Sequence, residues 1–454
     1  MTERGSTSAE AAAEAEASHV IRIWEVKQDR LASMHKKLSE PPRLLRSAAG
    51  KSSCCIFRVP RSFVDINGMF YQPQIVSIGP YHHNEPNLRM IEEHKWRYLG
   101  SLLNRMKNKN IGLEDFLKAV EPLELKAREF YSESIHLDTD EFLELMVLDG
   151  LFVIELFRKV ANPVQFESDD PIFTMSWILP FFYRDFVRIE NQIPYFVLEC
   201  LFDMSKIPEQ QQSDPTLSTL ALGFFNHELQ RPDEEIAKHT NLKGRHLLDL
   251  VRTSLIPSDQ KQPTPKNKPS RAIHSISKLR RAGIKLNPVK AESFLVVEFR
   301  HGVIDMPTIT IDDFMTSFLL NCVAYEQCHS SCSKHITTYA VLLDCLINTT
   351  KDAEYLCDRN IIENNLGTDA EIARFINSMG KDVAFDIDLC YLSNLFDVVH
   401  EYYENSGHVQ WASFKYTYFD TPWSFISALA ALILLLLTVA QTFFTIYPAF
   451  KPLN

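Results

Sequence analysis

The clearest helix in the sequence reads TDEFLELMVLDGLFVIELFRKV and covers residues 139–160. Its apolar side chains recur at steps of three and four residues, which is typical of an α-helix with a buried face. Asp138 and Glu141 stand where a capping box needs an acceptor and a carboxylate three residues later. Helical spacing continues over most of the chain from Leu88 to about His400. We therefore predict a mainly α fold, with a multi-helix globular body.

One carboxylate interrupts the apolar stripe of this helix. Asp149 lies seven residues after Phe142 and seven before Leu156, so it faces the same side. A carboxylate buried alone costs several kcal/mol, so it needs a partner. We predict a buried polar network built from Asp149 and the polar residues of RIENQIPYFVLE, which are Arg188, Glu190, Asn191 and Gln192.

This network has two interpretations. Buried polar groups commonly fix one packing arrangement, which is the role that we favour. Alternatively, Asp149 and Glu190 form a paired-carboxylate acid/base site. His82 and His83 follow a Gly-Pro-Tyr turn, and we expect them to be structural or at the surface because no nucleophile lies nearby in the sequence.

Short extended runs and a proline-rich segment divide the helices. The sequence SFLVVEFRHGVIDMPTITI, residues 293–311, alternates and then turns at His301-Gly302, which predicts a small β-hairpin. Residues 256–270 carry four prolines after Ile256 and little to bury, which is typical of a linker or exposed loop.

The predicted domains are a disordered N-terminus (1–18), a peripheral amphipathic helix and linker (19–50), an N-terminal helical lobe (51–255), the flexible linker or loop (256–270), a C-terminal helical lobe with the hairpin (271–420), a transmembrane helix (423–447) and a short tail (448–454).

The predicted transmembrane helix is the apolar run SFISALAALILLLLTVAQTFFTI, residues 424–446. At 1.5 Å per residue it reaches about 35 Å, enough to cross a hydrocarbon core of about 30 Å. Pro422 and Pro448 bracket the run, and aromatic residues stand at its ends. The residues that we expect to contact the lipid bilayer are Trp423, Leu434, Leu435, Leu436, Leu437, Phe443, Phe444 and Tyr447.

Charge and cysteine content limit the partners and the compartment. A net charge of −11, from 47 basic and 58 acidic residues, argues against nucleic acid as a partner. Nine cysteines spread thinly over 454 residues do not form a disulfide framework, so we expect a reducing compartment. The first 18 residues lack the basic start and apolar run of a secretory signal. We therefore expect a cytosolic body, for which the glycosylation triplet Asn348-Thr349-Thr350 has no role.

A search for chemistry-bearing motifs finds no nucleophile elbow, phosphate loop, dinucleotide fingerprint, zinc-protease helix or calcium loop. The nearest approach to a metal site is CHSSCSKH, which contains Cys328, His329, Cys332 and His335. All four potential ligands crowd into one short segment without a distant second pair. We expect the end of one helix and the start of another there, and we predict no metal, cofactor or catalytic residue.

Several motifs in fixed order resemble a plant family, domain of unknown function 247. They are VSIGPYHHN from Val76, EEHKWRYL from Glu92, DGLFVIELF from Asp149, RIENQIPYFVLE from Arg188, HLLDL from His246, LRRAGIKL from Leu279, LNCVAYEQC from Leu320 and TTYAVLLDCLINTTKDAEYL from Thr337. The resemblance runs from about Ile56 and implies a C-terminal transmembrane helix. Asn84 replaces a usual glycine, and Leu151 replaces a frequent cysteine, which argues against a cysteine-dependent activity there.

The resemblance implies no established reaction, cofactor or catalytic residue. Some grass members are associated with self-incompatibility, where they resemble pollen determinants that recognise a partner. The favoured hypothesis is a membrane-anchored protein, not an enzyme, that binds an unidentified protein partner in plant signalling or recognition. The alternatives are a membrane-associated enzyme of unidentified reaction, using Asp149, Glu190 or the two histidines, and a structural membrane protein.

Overall fold

The computed structural model describes residues 27–39, 54–161, 169–206, 215–257, 271–404 and 422–450. Helices dominate these residues, which confirms the predicted mainly α class. Four short 3₁₀ segments (Gly68–Phe70, Pro86–Ile91, Lys107–Lys109 and Glu121–Leu123) join some of them. The α-helices are α1 (Gln28–Ser39), α2 (Arg61–Asn67), α3 (Glu92–Met106), α4 (Leu113–Val120), α5 (Glu124–Glu129), α6 (Thr139–Val160), α7 (Pro171–Thr174), α8 (Ile178–Asp185), α9 (Tyr195–Met204), α10 (Leu217–Leu229), α11 (Asp233–Ala237), α12 (Leu247–Ser254), α13 (Ile276–Arg281), α14 (Asp313–Cys328), α15 (His335–Leu346), α16 (Thr350–Asp358), α17 (Asp369–Met379), α18 (Ser393–Glu404) and α19 (Pro422–Phe450).

Helix α6 is the central helix of the body. It packs against α3, α4, α9 and α10, and most of its residues from Phe142 to Lys159 are buried. The predicted capping box is present: the Asp138 carboxylate accepts the Glu141 N–H at 2.8 Å, and Glu141 accepts the Asp138 N–H at 3.2 Å. Gly150 lies where α6 meets α9, because a side chain there would collide with Leu201. The cap and the glycine together set where this helix begins and how closely its neighbour approaches.

The β-structure is small and confirms the predicted hairpin. The strands are β1 (Lys285–Val289), β2 (Glu298–Arg300), β3 (Val303–Pro307), β4 (Ile309–Ile311) and β5 (Ile362–Asn364). Strands β2 and β3 pair antiparallel, and His301 and Gly302 both adopt positive φ between them, as a tight two-residue turn requires. The parallel pairs β1–β3 and β4–β5 were not predicted. They bring distant parts of the chain together, which local alternation cannot indicate.

The chain divides into two compact units, Met1–Lys51 and Ser52–Asn454. In the first, α1 has no buried residue, and Met34 and Leu38 are exposed. In the second, one hydrophobic core extends from Cys55 to Val399. Most of the proposed linker, residues 258–270, and the N-terminal 1–18 lie outside the described residues. The two-lobe division therefore stays a prediction.

All nine cysteines lie within the described residues, and none of them forms a disulfide. The CHSSCSKH segment joins two helices as predicted, since Cys328 ends α14 and His335 begins α15. At the C-terminus the structure corrects one detail: Pro448 lies inside α19, which continues to Phe450. Pro448 cannot donate the hydrogen bond that an N–H at this position would make to the residue four positions earlier, and the helix ends two residues later.

Candidate functional site

The candidate site is the buried polar network around the irregular segment 74–85. The carboxylate of Asp185 accepts three successive backbone N–H groups at 2.9–3.1 Å, from Gln74, Ile75 and Val76. Arg188 Nε lies 3.3 Å from Asp185 Oδ1. Burial raises the pKa of the Asp185 carboxyl, and the Arg188 charge and the N–H groups oppose that rise. Asp185 therefore accepts backbone N–H groups that a neighbouring β-strand would otherwise bind. Sequence analysis did not identify this residue.

Asp149 forms an ion pair with Lys95 of α3. Lys95 Nζ lies 2.6 Å from Asp149 Oδ1 and donates to the Ser77 carbonyl at 2.6 Å, while Asp149 Oδ2 accepts the Gly79 N–H at 2.8 Å. Glu92 also approaches the ammonium, at 2.7 Å. Burial raises the pKa of Asp149, and the charge of Lys95 opposes the rise. Asp149 is buried as the apolar stripe indicated, and its partner comes from another helix.

Gly79 and Asn84 adopt left-handed backbone conformations in this segment. Gly79 has φ of 80°, and a Cβ there would collide with the Gln192 carbonyl oxygen. Tyr131 Oη donates to the same carbonyl at 3.0 Å, so the space beside Gly79 is filled. Asn84 has φ of 66°, which explains why a glycine suits this position and why asparagine can replace it.

Glu190 has a different set of partners from Asp149. Its carboxylate lies 2.6 Å from Arg58 Nη1, accepts the Val59 N–H at 2.7 Å and lies 3.3 Å from His82 Nε2. Burial alone raises the pKa of Glu190, but the contacts with His82, Val59 and Arg58 outweigh it and lower the pKa. The carboxylate is therefore held in its charged form, as a fixed acceptor.

The two adjacent histidines have different environments. His82 is buried and its Nδ1 lies 2.7 Å from Glu85 Oε1, whereas His83 is half-buried. The two residues lie in a turn, which the Glu85 N–H closes by donating to the His82 carbonyl at 3.3 Å, and this turn gives the two side chains different environments. His82 therefore joins the Glu190 contacts without its neighbour.

The amides of Asn191 and Gln192 satisfy backbone groups. Asn191 Oδ1 accepts the Ile78 N–H at 2.7 Å, and its amide donates to the Val76 carbonyl at 3.1 Å. Gln192 Nε2 donates to the carbonyls of Phe186 and Arg188 at 2.7 and 2.8 Å. Its Oε1 accepts the Leu248 N–H at 3.3 Å. Both amides therefore act as internal crosslinks between chain segments.

A second buried ionic cluster was missed by sequence analysis. Arg252 of α12 lies 3.1 Å from Glu326 Oε1 and 3.1 Å from Asp249 Oδ1. Glu326 also accepts the N–H groups of Ile336 and Thr337, at 3.2 and 2.7 Å. These charged residues stand inside otherwise apolar helices, the same signal that singled out Asp149.

Three histidines near this cluster are held neutral. Burial lowers the pKa of His246 to about 4. Burial, with the nearby charge of Arg245, does the same for His329, which contacts that arginine. Burial and Arg252 lower the pKa of His335 to about 4. A neutral imidazole can bind a metal, but within the described ranges no three His, Cys, Asp or Glu side chains form such a group.

Asp149 and Glu190, the two residues of the proposed carboxylate pair, have separate partners. In the described part of the chain, no hydrogen bond or ion pair joins Asp149 to Glu190, and each has its own cation, Lys95 and Arg58. A general acid/base pair needs two carboxyls that share one reacting centre. Asp149 and Glu190 instead fix the backbone at Gly79 and at Val59.

The C-terminal helix α19 is the other candidate functional element. Its segment Ile426–Thr445 has a mean hydropathy of 2.2 and none of it is buried. Among the described residues it is the one helix long and apolar enough to cross a membrane. Tyr447 lies within the helix, and the other residues predicted to contact lipid are well exposed: Trp423, Leu434, Leu435, Leu436, Leu437, Phe443 and Phe444.

Comparison with known proteins gives a consistent result. A family model described as a plant protein of unknown function, domain of unknown function 247, matches residues 56–437. A UPF0481 protein of Arabidopsis thaliana is 38% identical over 427 residues, covering 89% of this chain and 88% of that protein. A putative UPF0481 protein of the same plant is 22% identical over 493 residues, covering 87% of this chain and 90% of that protein. No solved structure matches the chain.

Proposed function

Because the chain belongs to the plant family domain of unknown function 247, we propose that it is a membrane-tethered interaction protein whose helical body binds another protein. The observation that carries this proposal is the exposed apolar helix α19 in a chain that also contains a large folded body. The proposal has two parts, the tether and the binding body, and each has its own support.

The tether is supported by the energetics of α19. Its leucines at 434–437 are each at least 60% exposed. Burying a leucine in an apolar environment is favourable by about 1.5–3 kcal/mol, so a row of such side chains strongly favours a lipid environment over water. Thr438 and Thr442 donate their hydroxyls to carbonyls one turn earlier, at 2.8 Å each. Their polar groups are thus satisfied within the helix, which lowers the cost of insertion.

The contacts of the buried ionisable residues support a binding function over a catalytic one. Asp149 and Glu190 are each neutralised by a separate cation and accept backbone N–H groups. Arg252 lies between the two carboxylates of its cluster. Residues so occupied stabilise a unique fold, and a stable helical body offers surfaces for a partner.

The proposed partner encounter takes place on the cytosolic side. None of the nine described cysteines forms a disulfide, which is compatible with this reducing side of the membrane. We propose that the biological role is in recognition or signalling. This role is similar to the self-incompatibility role associated with grass members of the family.

The test combines membrane extraction with proximity labelling in plant tissue. The full chain should remain in the membrane pellet after alkaline carbonate, and Leu435→Arg/Leu436→Arg should release it, since each central arginine costs about 2.5–3.5 kcal/mol. Leu435→Ile/Leu436→Ile is the matched control and should stay in the pellet. A labelling enzyme fused to the intact chain should repeatedly enrich one protein that the arginine variant does not enrich. A wild-type chain in the carbonate-soluble fraction, or no reproducible partner, would overturn the proposal.

A further inference from the structure

The body carries an apolar groove with an acidic edge. Helices α3, α4 and α6 line about 250 Å³ of open space. Seven of the lining side chains are apolar and two are acidic; they are Trp96, Leu99, Leu113, Leu117, Leu143, Val147, Leu148, Asp140 and Glu144. No basic residue belongs to this lining, which lies entirely within the described residues.

Two of the apolar side chains remain partly in water. Trp96 is 47% exposed and Leu113 is 38% exposed, although their helices bury other faces in the core. Tryptophan is among the residues that contribute most to protein–protein binding, because one side chain buries a large apolar area with few rotatable bonds. The exposed indole next to a leucine-lined floor therefore has the composition of a binding surface.

The two carboxylates at the edge of the groove have no basic side chain as a partner among the described residues. Asp140 and Glu144 lie one turn apart on α6, where like charges repel. Both side chains are exposed, and no hydrogen bond or ion pair joins either carboxylate to another of the described residues. A cation placed here would gain attraction from both carboxylates, and an arginine could also lie over the Trp96 indole.

The shape and lining of the groove favour a protein segment as its occupant. The groove is open, and its polar groups are two like-charged carboxylates at one edge, which suits protruding side chains better than an enclosed small molecule. A groove formed by packed helices commonly receives the apolar face of another helix.

We infer that this groove binds an amphipathic helix of a partner protein, with apolar side chains over Leu143 and Val147 and a lysine or arginine beside Asp140 and Glu144. This inference rests on the proposed interaction function and names the surface and the chemistry of the partner. It leaves the membrane tether unaffected.

The test uses designed peptides against the full chain in lipid nanodiscs. One peptide carries leucines at positions i, i+3, i+4 and i+7 with arginines beside that stripe. A second replaces the arginines with glutamates, and a third keeps the arginines but replaces the leucines with serines. Fluorescence anisotropy should show binding of the first peptide alone. Wild-type protein that binds none of them, or all three equally, would overturn the inference.

Groove variants then locate the binding. Trp96→Glu should weaken binding of the leucine–arginine peptide about tenfold or more. Trp177→Glu, at a tryptophan with the same 47% exposure outside the groove, should leave this binding unchanged. Leu113→Glu with Leu125→Glu as its control gives a second pair, and unchanged thermal unfolding verifies the fold. Asp140→Lys/Glu144→Lys should shift preference to the leucine–glutamate peptide. Equal binding by groove and control variants would contradict the inference.

The outcomes separate this inference from the broader function. If the partner found by proximity labelling is still enriched with Trp96→Glu, the interaction function stands and the groove assignment fails. If the wild-type chain instead self-associates in nanodiscs and the Trp96→Glu chain does not, the occupant of the groove is a second copy. The assignment of a partner helix would then be wrong.

Discussion

Lys95 and Asp149 form an ion pair from which water is excluded: Nζ lies 2.6 Å from Oδ1, and neither side chain has exposed surface. The two residues lie on different helices, α3 and α6, and both also bind the backbone of segment 77–79. This pair therefore joins two helices and one irregular segment at a single point.

Removing the cation of this pair should destabilise the protein severely. Lys95→Met leaves the Asp149 carboxylate buried without a counter-charge, which we expect to cost about 3–5 kcal/mol in the free energy of unfolding. The double variant Lys95→Met/Asp149→Leu should recover part of this loss because no lone charge remains. Chemical unfolding followed by intrinsic fluorescence measures both.

The control for this prediction is an exposed pair. Lys118 and Glu114 lie 2.6 Å apart on the surface of α4, at 67% and 78% exposure. Lys118→Met should leave stability unchanged within error, because exposed pairs are solvated in either state. If Lys95→Met also left the free energy of unfolding unchanged, the buried pair would not have the stabilising role that we assign to it.

Two glycine-to-alanine substitutions should have opposite effects. Gly79→Ala forces a side chain into a positive φ and against the Gln192 carbonyl, so we expect a loss above about 2 kcal/mol. Gly100→Ala places a methyl group in open space within α3 and should stabilise by about 1 kcal/mol through helix propensity. Thermal melts of the two variants would disprove the account if Gly79→Ala melted at or above the wild-type temperature.

Stability should fall between about pH 6.5 and pH 4 because of His246. Its pKa is about 4 in the folded protein, against an ordinary value of 6.5, so the unfolded chain binds the extra proton in this window. The sign follows: stability is present above pH 6.5 and decreases as pH falls, by about 3 kcal/mol in total from this group.

The variant that tests this is His246→Asn. Asparagine can still cap α12 as the histidine does by accepting the Asp249 N–H. The slope of the unfolding free energy against pH should decrease in the window relative to the wild-type chain measured in parallel. An unaltered slope for His246→Asn would refute the assignment, whatever its effect on absolute stability.

Protease treatment of sealed plant microsomes should digest the body. The proposed cytosolic topology leaves residues 54–404 outside the vesicles, while a lumenal marker stays protected. Asn348 is exposed in its glycosylation triplet, so it offers a second measurement: no shift should follow endoglycosidase treatment. A protected or glycosylated body would reverse the proposed orientation.

Features with a local cause were predictable from the sequence. The capping box at Asp138, the tight turn at His301-Gly302 and the burial of Asp149 each follow from residues only a few positions apart. The helix end at Cys328 and the apolar C-terminal helix belong to the same class. The family resemblance added the order of these motifs and is confirmed.

The partners of the buried charges were not predictable. Lys95 lies 54 positions from Asp149, Arg58 lies 132 positions from Glu190, and Arg252 lies 74 positions from Glu326. Periodicity shows that a charge faces a core but carries no information about which cation meets it there. Asp185 and the parallel strand β1 were missed for the same reason, since packing between distant segments decides their roles.

Asn321 has a consequence for how the chain is made. Its amide donates to the Phe70 carbonyl at 2.9 Å, and its oxygen accepts the Ile189 N–H at 3.0 Å, so it joins segments up to 251 positions apart. These two hydrogen bonds can form only after residue 321 has been synthesised, long after Phe70 and Ile189. We therefore expect the segment around Phe70 to reach its final packing late, after the residues near Asn321 have emerged.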